Sequence, residues 1–169
     1  MQHRAAICLT ATTLVLLGTS AGPAAADAPQ DVSLTGTAVF APPDYQPSQL
    51  VFEAEGALNV AGSWTLPEPK GGAVSIANLT FTPAGGTDSF IVRVHSRRTV
   101  DTFDESTCTG YAQEEGHWQM RGGTGIFADL RGHGALAAEA TYLGGDPEQN
   151  CEGVSEQFTI QLDGALTRR

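Results

Sequence analysis

Phe90-Ile91-Val92-Arg93-Val94-His95-Ser96-Arg97 carries the clearest alternation in the chain. Phe90, Val92 and Val94 alternate with Ile91, Arg93, His95 and Arg97, a period of two that turns one face of an extended strand to a core and the other to water. The same alternation returns where Phe158, Ile160 and Leu162 interleave with Gln157, Thr159 and Gln161. From Asp31 onward hardly a segment sustains a 3.6-residue period, so the expected class is all-β.

Working outward, the pattern predicts strands over residues 32–41, 48–59, 61–66, 73–82, 88–98, 107–120, 125–142 and 153–166. Pro42-Pro43-Asp44, the Pro67 to Gly72 run, Pro83-Ala84-Gly85-Gly86 and Gly144-Gly145-Asp146-Pro147 supply the turn chemistry between them, proline by its fixed φ and glycine by its tolerance of positive φ. Ala135-Leu136-Ala137-Ala138-Glu139-Ala140 favours helix by intrinsic propensity, but Gly132 and Gly134 before it and Thr141-Tyr142 after it point to a strand. Strands at hairpin spacing, with no helix-length segments between them, pair antiparallel, because parallel strands need long crossovers. Such a sheet splits into a β-sandwich or closes into an eight-stranded antiparallel barrel. Closure removes the exposed edges and is the preferred expectation.

Trp118-Gln119-Met120-Arg121-Gly122-Gly123-Thr124-Gly125-Ile126-Phe127-Ala128-Asp129-Leu130-Arg131-Gly132-His133-Gly134 is the most distinctive run. Gly123 to Ala128 fits a G-x-G-x-x-A dinucleotide fingerprint, which requires a helix opening at the glycines within a βαβ unit; Gly132 and Gly134 would interrupt that helix at once. The simpler reading is structural: Gly122, Gly123, Thr124 and Gly125 bend the chain between two strands, Phe127 packs inward, and Gly132 and Gly134 mark a second bend or bulge.

This run resembles the Gly-Gly-Thr-Gly signature of the allene oxide cyclase-like barrel superfamily, which includes the plant dirigent proteins and many exported actinobacterial proteins. The likeness is specific over residues 116–134 and is elsewhere an agreement of strand spacing across residues 32–166. It implies an eight-stranded barrel with a central, largely apolar cavity, used in some branches to fold a reactive hydrophobic intermediate for ring closure or coupling. In those families the signature is structural, so the resemblance carries over a fold and no catalytic residue.

Compartment follows from the ends and the cysteines. Arg4, the apolar stretch Ala5 to Ala21 and the small residues Ala24-Ala25-Ala26 read as a secretory signal peptide over residues 1–26, cleaved near Ala26, and residues 27–169 as one β-barrel domain. No later segment reaches the ~20 apolar residues of a membrane-spanning helix. Cleavage removes Cys8 and leaves Cys108 and Cys151, expected as a disulfide in an exported chain and worth roughly 4 kcal/mol by loop-closure entropy. It also leaves 8 basic against 19 acidic side chains, a formal charge of −11, which argues against nucleic acid and anionic membranes as partners.

The chemistry-bearing residues are sparse. His95, His117 and His133 lack metal-ligand spacing, so no metal is expected and no cofactor is implied. Asp101-Thr102-Phe103-Asp104-Glu105 lacks the glycine and terminal glutamate of a calcium loop and reads as a solvated loop. No nucleophile elbow or metalloprotease helix is present. If the barrel holds a pocket, Tyr111, Glu115 and His117 on one strand face and Arg93 and His95 on another are the polar candidates for it, as acids, bases or ligand contacts. Should those faces meet water instead, Cys108, Gly110, Ala112, Trp118 and Met120 point inward. The favoured expectation is a secreted barrel that binds a small hydrophobic molecule or serves as an interaction module. The alternative is a cofactor-free cyclase, isomerase or dirigent-like enzyme, which a barrel interior filled by side chains would remove.

Overall fold

The computed structural model describes residues 28–42, 47–65 and 74–169, so the expected signal peptide lies outside the described residues. Eight strands follow one another: β1 (Gln30–Phe40), β2 (Pro47–Gly56), β3 (Val60–Thr65), β4 (Val74–Pro83), β5 (Phe90–Asp104), β6 (Thr109–Gly123), β7 (Leu130–Leu143) and β8 (Ser155–Arg168). Each pairs antiparallel with the next, and β1 pairs with β8, from Gln30 opposite Leu166 to Phe40 opposite Glu156, so the sheet closes on itself. No described helix is long and apolar enough to cross a membrane.

The period of two becomes an inside and an outside. Phe90, Val92, Val94 and Ser96 of β5 are buried, whereas Ile91 and Arg97 are exposed. On β6 the inward residues are Ala112, Trp118 and Met120, opposite the strand face that carries Tyr111, Glu115 and His117. An aromatic stack fills the middle of the interior: Phe81 lies parallel to Phe90 at 5.1 Å and to Trp64 at 6.0 Å, with Phe52 edge-on to Phe81 at 5.2 Å. Each such ring buries 150–250 Å² of surface, so these residues dominate the apolar burial. Between Val32, Leu58, Val92, Trp118 and Leu166 there remains a void of about 10 Å³, no more than one water occupies. Leu58 in the β2–β3 turn and Phe127 beyond β6 cap this end of the interior.

Both tryptophans are buried with their indole N–H satisfied, Trp64 by Thr37 O at 3.1 Å and Trp118 by Asp163 O at 3.1 Å. Trp118 also bears on Gly132 and Gly134. Neither forms a bend or bulge, since β7 keeps an unbroken register with β8; a Cβ on Gly134 would lie 2.7 Å from Trp118 Nε1 and 2.6 Å from Gly164 Cα. Gly134 is small so that the indole and β8 can approach, and at Gly132 a Cβ would meet Leu166 and the Ala165 carbonyl before the indole.

The Gly-Gly-Thr-Gly run turns the chain as expected. Gly122 has φ +118° and Gly125 φ +50°, and the residues Gly125–Phe127 form one 3-10 turn, with Phe127 buried. The turn docks on the β4–β5 connection: Thr124 Oγ1 accepts from Ser89 N at 2.9 Å, and Thr124 N donates to Ser89 O at 2.8 Å. Two boundaries differ most from expectation. β7 begins at Leu130, because the 3-10 turn occupies the residues before it, and Asp101 to Asp104 is strand, paired with Ala112 to Thr109, where a solvated loop was expected. A register shift between Arg98 and Val100 lets the long β5–β6 hairpin continue, so an acidic composition that favours solvent is satisfied on an extended, largely exposed ribbon.

Cys108 and Cys151 form the expected disulfide, Cα to Cα 5.3 Å. It ties the tip of the β5–β6 hairpin to the β7–β8 connection, where Asn150 and Cys151 have φ +52° and +61°.

Candidate functional site

The odd-numbered strands end and the even-numbered strands begin at the barrel end opposite Leu58 and Phe127, and there the inward face turns polar. Continuing the inward parity of β5 past Val94 gives Ser96 and then Arg98; on β6 it gives Glu114, paired in register with Arg98; on β7 it gives Tyr142; on β8, Glu156. Ser96 is the one buried polar residue among the described residues and donates its hydroxyl to Glu114 Oε2 at 2.5 Å. Arg98 bonds Asp101 Oδ2 at 2.9 Å and lies 3.6 Å from Glu114 Oε1. Asp101 and Glu114 thus flank one guanidinium, and Ser96 satisfies the second oxygen of Glu114.

Tyr142 and Glu156 stand beside that network. Desolvation pushes the Glu156 carboxyl above its usual range, against the opposing pull of Arg98. Desolvation, then the neighbouring Glu156 charge, pushes the Tyr142 phenol upward. Both groups are therefore held toward their protonated, hydrogen-bond-donating forms. Around them lie aromatic rings: Phe103 meets Tyr142 edge-on at 6.3 Å, Phe158 is 6.3 Å from Trp64, and the half-buried Phe40 is paired with Glu156. A phenol and a carboxyl beside apolar rings can grip a molecule that has an apolar body and one hydrogen-bonding group.

The residues singled out from the sequence lie elsewhere. Arg93, His95, Tyr111, Glu115 and His117 are all on the outward parity of β5 and β6, so none lines the interior. The inward set follows the other face, with Cys108, Ala112, Trp118 and Met120 buried. The outer residues are nonetheless partly assembled. His95 and His117 are register partners with rings stacked at 4.9 Å, and partial desolvation, then His117, Arg93 and Arg121, lower the His95 pKa. Tyr111 is separated from them along β6 and raised by desolvation and by Glu139. Among the described residues no three His, Cys, Asp or Glu side chains come together as a metal would need.

Ser96, Arg98, Glu114, Tyr142 and Glu156 were missed because each is polar at a position where the pattern promises an apolar residue. Parity was the available signal: with Ile160 and Leu162 inward, Glu156 must also be inward unless a bulge intervenes.

Fold and site together define an eight-stranded antiparallel ring sheet with an apolar, aromatic-filled middle and a polar, partly buried end. Compared with protein-family models, curated proteins and solved structures, the chain matches none.

Proposed function

We propose that this is an exported barrel of the allene oxide cyclase-like type that binds a small, mainly apolar molecule at the polar end of its interior and does not transform it. The observation that carries the reading is the pairing of Tyr142 with Glu156, both shifted toward their protonated forms by desolvation, beside Phe40 and Phe158 above a filled core. The disulfide supports export, since such bonds persist in oxidising compartments. The superfamily reading rests on the Gly-Gly-Thr-Gly signature at Gly122–Gly125 and on the closed sheet of eight antiparallel strands that it implies.

The test is a native mass spectrum of protein recovered from the culture medium of its own host. A defined co-purifying apolar mass, retained by the parent and lost from a Tyr142→Phe/Glu156→Leu double variant of unchanged Tm, is the expected result. A clean apo mass from both proteins turns the reading toward an interaction module without a small ligand.

A second reading, a cofactor-free cyclase or isomerase, draws support from the same raised carboxyl, which suits a general acid. The filled middle of the barrel weighs against it, because folding a hydrophobic intermediate requires room. Turnover of the co-purified molecule by pure protein, lost in Glu156→Gln, would establish it.

A further inference from the structure

At the capped end of the barrel, opposite Tyr142 and Glu156, the outer face holds a hollow of about 310 Å³ lined by Arg121, Arg131, Arg169, His133, Gln119 and Thr167, with no Asp or Glu side chain among the described residues of its wall. Register brings them together. Gln119 is paired with His133 across β6–β7, and Arg131 with Thr167 across β7–β8. Arg131 is fixed in place, its Nη1 donating to Leu130 O at 2.6 Å and to Ala128 O at 2.9 Å. Gly122 permits this: a Cβ there would sit 3.3 Å from that same Nη1, and its φ of +118° suits glycine.

Three of the seven described arginines thus face one depression, and among the described residues none of the three makes a salt bridge. Among the described arginines only Arg98 forms salt bridges, so what sets Arg121, Arg131 and Arg169 apart is that they line one hollow. Asp163, two residues before Ala165 on the same face of β8, is engaged elsewhere, accepting from Ser33 Oγ at 2.7 Å and from Gln161 Nε2 at 3.0 Å. Converging guanidinium groups repel one another until an anion sits between them, and their planar donor forks suit phosphate or sulfate oxygens.

We propose that this hollow is a binding site for a tetrahedral oxyanion, phosphate or sulfate, with space beside the anion for the rest of an ester. Arg121 and Arg169 supply the mobile donors, Arg131 the pre-positioned one, and His133 and Thr167 the flanking hydrogen-bonding groups. The site is separate from the polar end of the interior and stands or falls independently of the ligand proposed there.

The experiment titrates the full chain with inorganic phosphate, and separately with phenyl phosphate, at constant ionic strength, following amide NMR shifts of residues 119–122 and 131–133. Saturable shifts with either probe, about tenfold weaker in Arg121→Gln and unchanged in Arg97→Gln, are expected, because loss of one charge-assisted bond costs about that factor. Binding of both probes would assign the free ion as sufficient; binding of phenyl phosphate alone would assign an ester. Shifts no larger than those from equimolar chloride would overturn the proposal. So would an equal loss in Arg121→Gln and Arg97→Gln, which would mean diffuse attraction to a basic face. Arg121 makes no hydrogen bond that the fold needs, and an unchanged Tm in its variant separates binding from folding.

Discussion

Glu156 is the residue where burial and charge are most at odds. Its carboxyl is raised in the folded protein by desolvation, so the folded state binds the proton more tightly than the unfolded state does. The resulting penalty is absent below the ordinary carboxylate range, grows as pH rises toward the raised folded value, and is fully present above it. Glu156→Gln is therefore expected to raise Tm at pH 7 by about 1–3 °C, an effect reduced by the partial exposure of the group, and to leave Tm unchanged at pH 3. A pH-independent difference in thermal melts would contradict this assignment. Gly134 presents the opposite case, a residue defined by what it lacks. Gly134→Ala places a methyl against Asp163 O, Gly164 Cα and Trp118 Nε1, and is expected to cost about 3 kcal/mol in urea unfolding, with a changed Trp118 emission. In the sequence Gly134 was readable as an exceptional position, but its reason was not, because the indole that needs the space arrives from another strand.

At the level of elements, the turn after β6 and the disulfide do similar work on opposite ends of the barrel. Thr124 links the Gly-Gly-Thr-Gly turn to Ser89 through its hydroxyl, so Thr124→Val is expected to lose about 1 kcal/mol by chemical denaturation while Thr124→Ser loses less. The Cys108–Cys151 bridge spans 43 residues and joins two connections that share no strand pairing of their own. Cys108→Ala/Cys151→Ala is expected to lower stability by roughly 3–4 kcal/mol with the far-ultraviolet spectrum retained, since the bridge restricts the unfolded chain more than it shapes the folded one. Strand number and order were legible from alternation and turn residues, as was the disulfide from compartment and count. The ends of β5 and β7 were not. The pairing of Asp101–Asp104 with Thr109–Ala112 depends on a bulge near Arg98, and no local propensity announces it.

For the whole molecule, closure is the decisive event. β1 and β8 pair along the full length of β1, which leaves no free edge among the described strands for another chain to extend. A chain beginning at Pro47 would expose the edges of β2 and β8 and is expected to aggregate at micromolar concentration, as light scattering would show; a monomeric, folded truncation would refute the stabilising role given to closure. The candidate site depends on which face of each strand turns inward. Arg93, His95, Tyr111, Glu115 and His117 attracted notice because they are polar and regularly spaced, and that regularity is what places them on the outer face. Ser96, Arg98, Glu114, Tyr142 and Glu156 come from four consecutive strands, and strand register sets them together, Arg98 opposite Glu114 and Tyr142 opposite Glu156. By itself the sequence determined the all-β class, the eight strands, the turn at Gly122–Gly125 and the cysteine pair, because each is written in short-range period, backbone preference or composition. Which face of each strand became the interior, and which polar groups it brought together, was decided by tertiary structure alone, because a strand's two faces are exchanged by a shift of one residue and only packing against the other seven chooses between them.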